Sequence, residues 1–242
     1  MKNTLIIIPT YNEIDNIERI IRSILSIYQS PHILVVDDNS PDQTSVLVLS
    51  LQIEFKENLY ILNRSIKQGL GKAYIDGFKW GLKRDYNYFI QMDADFSHDP
   101  NSIINLFNSC HKMGNDVAVG SRYINGINVI NWPISRILLS YFASFYVRII
   151  TGMPIKDPTS GFVCYKRIVL EGLNLERIKF IGYAFQIEMK FKAFCKKFKL
   201  KEIPIIFKDR TRGESKLTNS IIFEAVSGVI YMKLKQILGK FK

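Results

Sequence analysis

Leu5-Ile6-Ile7-Ile8-Pro9-Thr10-Tyr11-Asn12-Glu13-Ile14 is the stretch on which the fold turns. The apolar run Leu5–Ile8 is too short for a helix, and its branched side chains suit a strand buried on both faces. Pro9 ends the run, and Ile14, Ile17, Ile20, Ile21, Ile24 and Leu25 then recur at helical spacing. The same order of strand, polar turn and helix repeats downstream. Ile33–Val36, Leu59–Leu62, Tyr88–Met92 and Val117–Gly120 read as strands. Thr44 to Gln52, Lys72 to Lys83 and Ser102 to Lys112 read as the helices between or after them. This alternation predicts an α/β domain with a mostly parallel central sheet flanked by helices.

The pattern changes after Ser121. A loop with Asn125-Gly126 and Trp132-Pro133 leads to a long helix, Ile134 to Ile150, and Asp157-Pro158-Thr159-Ser160-Gly161 is a turn. A helix from Tyr183 to Lys197, a late strand Ile203–Phe207, a cationic loop Arg210 to Lys216 and a last helix Asn219 to Ile237 follow. No repeat or linker divides the 242 residues, so one domain spanning 1–242 is expected, with halves 1–123 and 124–242.

Hydrophobic residues make up 47% of the chain and charged residues 23%, which excludes wholesale disorder. The net charge of +11 is unevenly placed: Lys190 to Lys242 holds 14 basic and 4 acidic residues, while the first 189 are nearly neutral. A cationic tail calls for an anionic partner or surface. Nucleic acid is not expected, because Phe191, Phe194 and Phe198 among the basic residues have the near-helical spacing of core side chains. Cys110, Cys164 and Cys195 form no zinc or disulfide pattern and fit a reducing cytosol. Leu5–Ile8 is too short for a signal peptide, and no apolar run approaches the ~18 residues of a spanning helix. The chain is therefore expected to lie on a membrane rather than cross it.

Two strands end in acids, and ligands of open parallel sheets bind at the carboxyl ends of strands. Asp93 and Asp95 flank Ala94 and can converge on a hard cation such as Mg²⁺ or Mn²⁺, with phosphate and water completing the shell; the alternative is a solvated Asp-rich turn. Asp37 and Asp38 precede a polar turn, and either bind a ribose diol or base edge or serve as Asx-turn residues. In Pro9-Thr10-Tyr11-Asn12-Glu13, Pro9 fixes the backbone, Tyr11 offers a stacking face and Glu13 an acceptor; a capping segment is the alternative. Arg122, Arg136, Arg210, Arg212 and Lys216 offer phosphate partners. His98 reads as a ligand, a base or an ordinary turn histidine, and no P-loop is present.

Together these segments resemble glycosyltransferase family 2 enzymes of GT-A fold, a Rossmann-like nucleotide-diphospho-sugar transferase architecture. Gly120-Ser121-Arg122-Tyr123, Asn131-Trp132-Pro133, Ser135-Arg136, Asp157-Pro158-Thr159-Ser160-Gly161-Phe162, Gly182-Tyr183-Ala184-Phe185-Gln186-Ile187-Glu188-Met189 and Arg212-Gly213-Glu214-Ser215-Lys216 are similar to the polyprenyl-phosphate (dolichyl-phosphate) β-mannosyltransferase branch. The resemblance implies a nucleoside pocket at Pro9, Tyr11, Glu13, Val36 and Asp38, and a metal and diphosphate segment, the DxD motif, at Asp93, Ala94 and Asp95. It implies donor-phosphate contacts at Arg122, Arg210 and Lys216, an acceptor-phosphate contact at Arg136, and Gln186 and Glu188 lining the cleft. Asp93, Asp95, Arg122 and Arg136 would then carry catalysis.

The implied reaction is inverting, metal-dependent mannose transfer from GDP-mannose to dolichyl or undecaprenyl phosphate. Residues 1–123 would bind the donor and 124–242 face the acceptor. Amphipathic interface helices would hold the chain peripherally at the cytoplasmic face of a membrane, with a small membrane subunit as an anchor. A related transferase using UDP-glucose or another nucleotide sugar, and a catalytically idle nucleotide-sugar-binding subunit, are the alternatives.

Overall fold

The computed structural model describes residues 1–28, 30–209, 219–239 and 241, with backbone alone for 219–223. Arg210, Arg212, Lys216, Lys240 and Lys242 lie outside the described residues. The first half runs β1 (Thr4–Thr10), α1 (Ile14–Ile27), β2 (His32–Asp37), α2 (Thr44–Glu54), β3 (Leu59–Asn63), α3 (Leu70–Leu82), β4 (Tyr88–Gln91), α4 (Ile103–His111) and β5 (Val117–Ser121). The second runs β6 (Val129–Ile130), α5 (Ile134–Thr151), β7 (Val163–Lys166), α6 (Arg167–Gly172), α7 (Ala184–Cys195), β8 (Leu200–Pro204), β9 (Phe207–Lys208) and α8 (Asn219–Ile237).

Among the described residues one seven-stranded sheet has the order β3-β2-β1-β4-β7-β5-β8. Every neighbouring pair is parallel except those of β7, which runs antiparallel to both β4 and β5. Strand alternation divides the core between the two faces. Ile6, Ile8, Ile33 and Val35 pack with α1, α2 and α4, while Leu5, Ile7, Leu34 and Val36 pack with α3 and with apolar residues of the second half. Helix α3 sits close to the sheet because Gly77 and Gly81 face it. A Cβ on Gly81 would lie 2.5 Å from Phe89 Cε1 and 2.6 Å from Leu5 Cδ2.

The late strand expected at Ile203–Phe207 is two strands. β8 joins the main sheet beside β5, and β9 pairs with β6 in a separate ribbon. β7 and α6 follow the Asp157–Gly161 turn, where no strand or helix was expected. Helix α5 has 18 residues and meets the length and composition of a spanning helix. Arg136, Arg148 and scattered hydroxyls break its apolar run in sequence but leave its overall composition apolar.

Candidate active site

The loops after β1, β2, β4 and β5 leave the same end of the sheet. Because β7 is reversed, the loop that precedes it, Asp157 to Gly161, enters at that end too. Five loops therefore gather at one end of the sheet.

On the β1–β2 side, Asp37 is a structural staple. Its carboxylate accepts from Thr10 Oγ1 at 2.8 Å, Ser40 N–H at 2.8 Å and Ser40 Oγ at 2.6 Å. Asn12 N–H donates to Ser40 Oγ and Glu13 N–H to Thr44 Oγ1, so the turn after β1 is tied to the turn after β2. Asp38 is ion-paired with Arg64, which also reaches Asp76 at 2.9 Å and Gln68 at 3.0 Å. Burial raises the Asp38 carboxyl above its ordinary pKa despite that cation. The Tyr11 ring lies 3.8 Å from Lys67 Nζ, and the Glu13 carboxylate accepts from Asn16. Pro9 pairs with Val36 across the sheet, and Val36 is fully enclosed in the core. Its side chain packs there instead of facing the loops at the end of the sheet.

After β4, the Asp93 side chain is 38% exposed while Ala94 and Asp95 are buried. Asp95 Oδ1 accepts from Ser97 N–H at 3.0 Å, and Tyr74 donates its hydroxyl to Asp93 Oδ1 at 3.4 Å. Burial, with Asp93 beside it, holds the Tyr74 phenol well above its ordinary pKa, so it stays a donor. His98 Nδ1 accepts the Asp93 backbone N–H at 3.1 Å, and its ring stacks on Phe162 at 4.7 Å. His98 is thus a buried brace for the turn. Two hard oxygen donors, one open to solvent and one fixed from below, fit a divalent cation. Among the described residues no third His, Cys, Asp or Glu joins them, so substrate oxygens and water would have to complete the shell.

On the β5–β7 side Arg122 is buried and clamped. Asp157 accepts from its Nε and Nη2, each at 2.7 Å, and from its backbone N–H at 3.0 Å, and Thr159 accepts at 2.8 Å. Burial alone would raise the Asp157 carboxyl, but the Arg122 charge and hydrogen bonds outweigh it and carry the group below its ordinary range. Arg136 donates to Asp209 at 2.7 Å and stands 4.1 Å from the Trp132 ring centre. Lys190, counted in sequence with the cationic tail, is an interior residue. Its ammonium donates to the Ser160 carbonyl at 2.7 Å, and burial pushes its pKa down to about 7 against the pull of Asp157. Lys192 is internal too, paired with Glu188 at 3.1 Å. Glu188 also accepts from Lys179 and Phe180 N–H, which makes it a clamp for the segment before α7. Gln186 is buried beside Gly161, and its amide has no hydrogen-bond partner among the described residues.

Helix α5 buries only Ser144, Val147 and Thr151. Ile134 (75%), Phe142 (60%) and Ile149 (63%) are exposed, together with Leu138, Leu139, Tyr141 and Phe145. Tyr146 ties α5 to α8 by donating to the Val226 carbonyl at 3.0 Å, and α8 adds exposed Val226, Ile230, Leu234 and Ile237. A patch of this extent marks an interaction surface.

Comparison with known proteins gives this site a context. Residues 5–173 match glycosyl transferase family 2. The polyprenol monophosphomannose synthase of Mycolicibacterium smegmatis is 42% identical over 93% of this chain and 84% of its own length. The undecaprenyl-phosphate mannosyltransferase of Micrococcus luteus is 38% identical over 93% and 91%. The dolichol-phosphate mannosyltransferase of Pyrococcus furiosus is 39% identical over 90% of this chain and 60% of that protein. Among solved structures, glucosyl-3-phosphoglycerate synthase from Mycobacterium tuberculosis, with Mn²⁺, uridine diphosphate and glucosyl-3-phosphoglycerate, superposes with a TM-score of 0.68 at 15% identity, covering 98% of this chain and 80% of that one. At that identity the likeness is one of fold, and the fold is GT-A. With 169 residues under the family match and relatives near 40% identity along most of its length, the chain belongs to glycosyl transferase family 2.

Proposed function

We propose that this chain transfers mannose from GDP-mannose to a polyprenyl phosphate, dolichyl or undecaprenyl, with inversion at the anomeric carbon. The observation that carries the reading is the setting of Arg136. It stands in the first turn of a helix whose exposed side is apolar, against Trp132, whose ring packs on Phe207 and through it on His98 beside Asp93. A phosphate on a long apolar tail fits that pairing of cation and apolar surface. The relatives' names support the sugar and the acceptor class.

Asp93 and Asp95 would hold Mg²⁺ or Mn²⁺, which supplies charge stabilisation for the leaving diphosphate. The other duties fall to side chains. Pro9, Tyr11, Glu13 and Asp38 border the nucleoside, with Lys67 behind Tyr11 and Arg64 behind Asp38. Arg122, aimed by Asp157, adds positive charge near the diphosphate, and Arg136 receives the acceptor phosphate. Ala94 and Val36 act through the backbone of the segments they occupy, and Arg210 and Lys216 are assigned to donor phosphates by resemblance. A monophosphate ester has a second pKa of about 6, so the acceptor is already a nucleophilic dianion at neutral pH and needs no base. His98 is in keeping with this, since its Nδ1 is spent on the Asp93 backbone. Catalysis is then positioning and charge management.

Residues 1–123 would serve the donor and 124–242 the acceptor and bilayer, within one domain. The exposed faces of α5 and α8 would rest in the cytoplasmic leaflet, with Lys233 and Lys235 at headgroups and a small membrane subunit able to add anchorage. Incubation with radiolabelled GDP-mannose, Mg²⁺ or Mn²⁺ and undecaprenyl phosphate should yield labelled lipid. No labelled lipid, or preferential use of UDP-glucose, would refute the assignment.

A further inference from the structure

Trp132 stands among the phosphate-handling cations without a task in the scheme above. Its ring centre is 4.1 Å from the Arg136 guanidinium and 5.7 Å from that of Arg122. Its edge meets Phe207 at 5.3 Å and 72°, and Phe207 meets His98 at 5.6 Å and 80°. His98 in turn accepts the Asp93 N–H. An unbroken aromatic series thus joins the acceptor-side cation to the first carboxylate of the Asp93–Asp95 turn.

Two guanidinium groups near one another repel. Here each has a carboxylate, Asp157 for Arg122 and Asp209 for Arg136, and both lie within cation–π range of the same indole. The Trp132 Nε1–H is buried with no hydrogen-bond partner among the described residues. The part of this side chain that meets both cations is the ring face.

We propose that Trp132 is a positioning residue for transfer. Its ring face holds Arg136, with Arg122 alongside, where the acceptor phosphate arrives, and the Trp132–Phe207–His98 series sets the distance of that cation from Asp93. The inference rests on the reading of Arg136 as the acceptor-phosphate cation. Removing the ring loosens Arg136 and misaligns the two substrates, and misplacements of about 1 Å cost roughly 10²-fold in rate.

The test is initial-rate kinetics of the full chain with GDP-mannose and undecaprenyl phosphate. Trp132→Leu is expected to raise the KM for undecaprenyl phosphate about 10-fold and lower kcat by about 10-fold or more, with the KM for GDP-mannose within about 2-fold of the parent. Trp132→Phe, which keeps a ring face and drops the N–H, is expected to return both within about 3-fold. Parental lipid-phosphate kinetics in Trp132→Leu overturn the proposal, and so does a Trp132→Phe enzyme as impaired as the leucine variant. Arg136→Met separates the two levels. If it leaves the lipid-phosphate KM unchanged, the reading of Arg136 falls and this inference with it; if it raises that KM while Trp132→Leu does not, only the inference falls. Trp132→Met replaces the leucine variant if the latter fails to keep the parental melting temperature.

Discussion

Replacing Lys190 by Met should make the protein more stable, and by an amount that depends on pH. The ammonium is completely buried, its hydrogen bond goes to the Ser160 carbonyl, and its pKa falls from 10.5 to about 7. Between those two values the unfolded chain binds a proton that the folded chain does not, so stability rises with pH through that window. The penalty of burying Lys190 is fully developed below about pH 7 and vanishes above 10.5. Integrating the linkage puts it at roughly 4 kcal/mol at pH 7 and roughly 2 kcal/mol at pH 9. Methionine removes the charge at similar length and forfeits one hydrogen bond worth about 1 kcal/mol, a loss that does not vary with pH. Urea unfolding of both proteins at several values between pH 6 and 9 isolates the effect, because every other titrating group is shared. The variant should exceed the parent by about 3 kcal/mol at pH 7, and the gap should close by about 2 kcal/mol by pH 9. A gap that stays flat across this range would show that Lys190 does not titrate there and would refute the reasoning.

Other perturbations test separate parts of the structure. Asp95→Ala should lower turnover by roughly 10²–10³-fold at unchanged thermal stability, and near-normal turnover in the lipid-phosphate assay would remove the metal assignment. Asp157→Ala leaves the Arg122 charge buried without its carboxylate and should cost about 3–5 kcal/mol in urea unfolding; a loss below about 1 kcal/mol would mean that the pair is not load-sharing. Gly81→Ala should destabilise by about 1–2 kcal/mol although alanine is the better helix former, because its methyl would overlap Leu5 and Phe89; a gain in melting temperature would contradict that packing. Phe142→Ser combined with Phe145→Ser should cut co-sedimentation with anionic vesicles at least about 10-fold without lowering stability, and unchanged sedimentation would argue against α5 as the membrane-facing element.

Much of the first half is legible in sequence because each strand is a short apolar run that ends in a polar turn. Leu5–Ile8, Ile33–Val36, Tyr88–Met92 and Val117–Gly120 all lie at strands, within a residue or two at each end. Asp93 and Asp95 announce themselves in the same way, as acids at the end of such a run. β7 does not, since Val163–Lys166 is only four residues long, follows the Asp157–Gly161 turn directly, and nothing local shows that it runs backwards. Charge is the poorest guide. Lys190 and Lys192 count in sequence toward the cationic tail, yet both are buried, one against a carbonyl and the other beside Glu188. Arg122 reads as a free phosphate ligand, while its partner Asp157 is 35 residues away and visible only once β7 has turned the chain back. Pairing across such distances is a property of topology, which residue periodicity does not encode.

The reversed strand also dictates an order of assembly. Among the described residues β5 pairs only with β7 and β8, and β4 meets β5 only through β7. A nascent chain that has emerged as far as Ser121 therefore has β1 to β4 zipped together but β5 without a partner. The inner edge of β4 stays open until Val163–Lys166 slides between them. Such non-local closure is slow, and the open edge is exposed to other chains meanwhile. Residues 1–123 are thus no autonomous folding unit. A truncation after residue 123 would give an edge-exposed, aggregation-prone fragment, and the seam that β7 closes is where misfolding of this chain should begin.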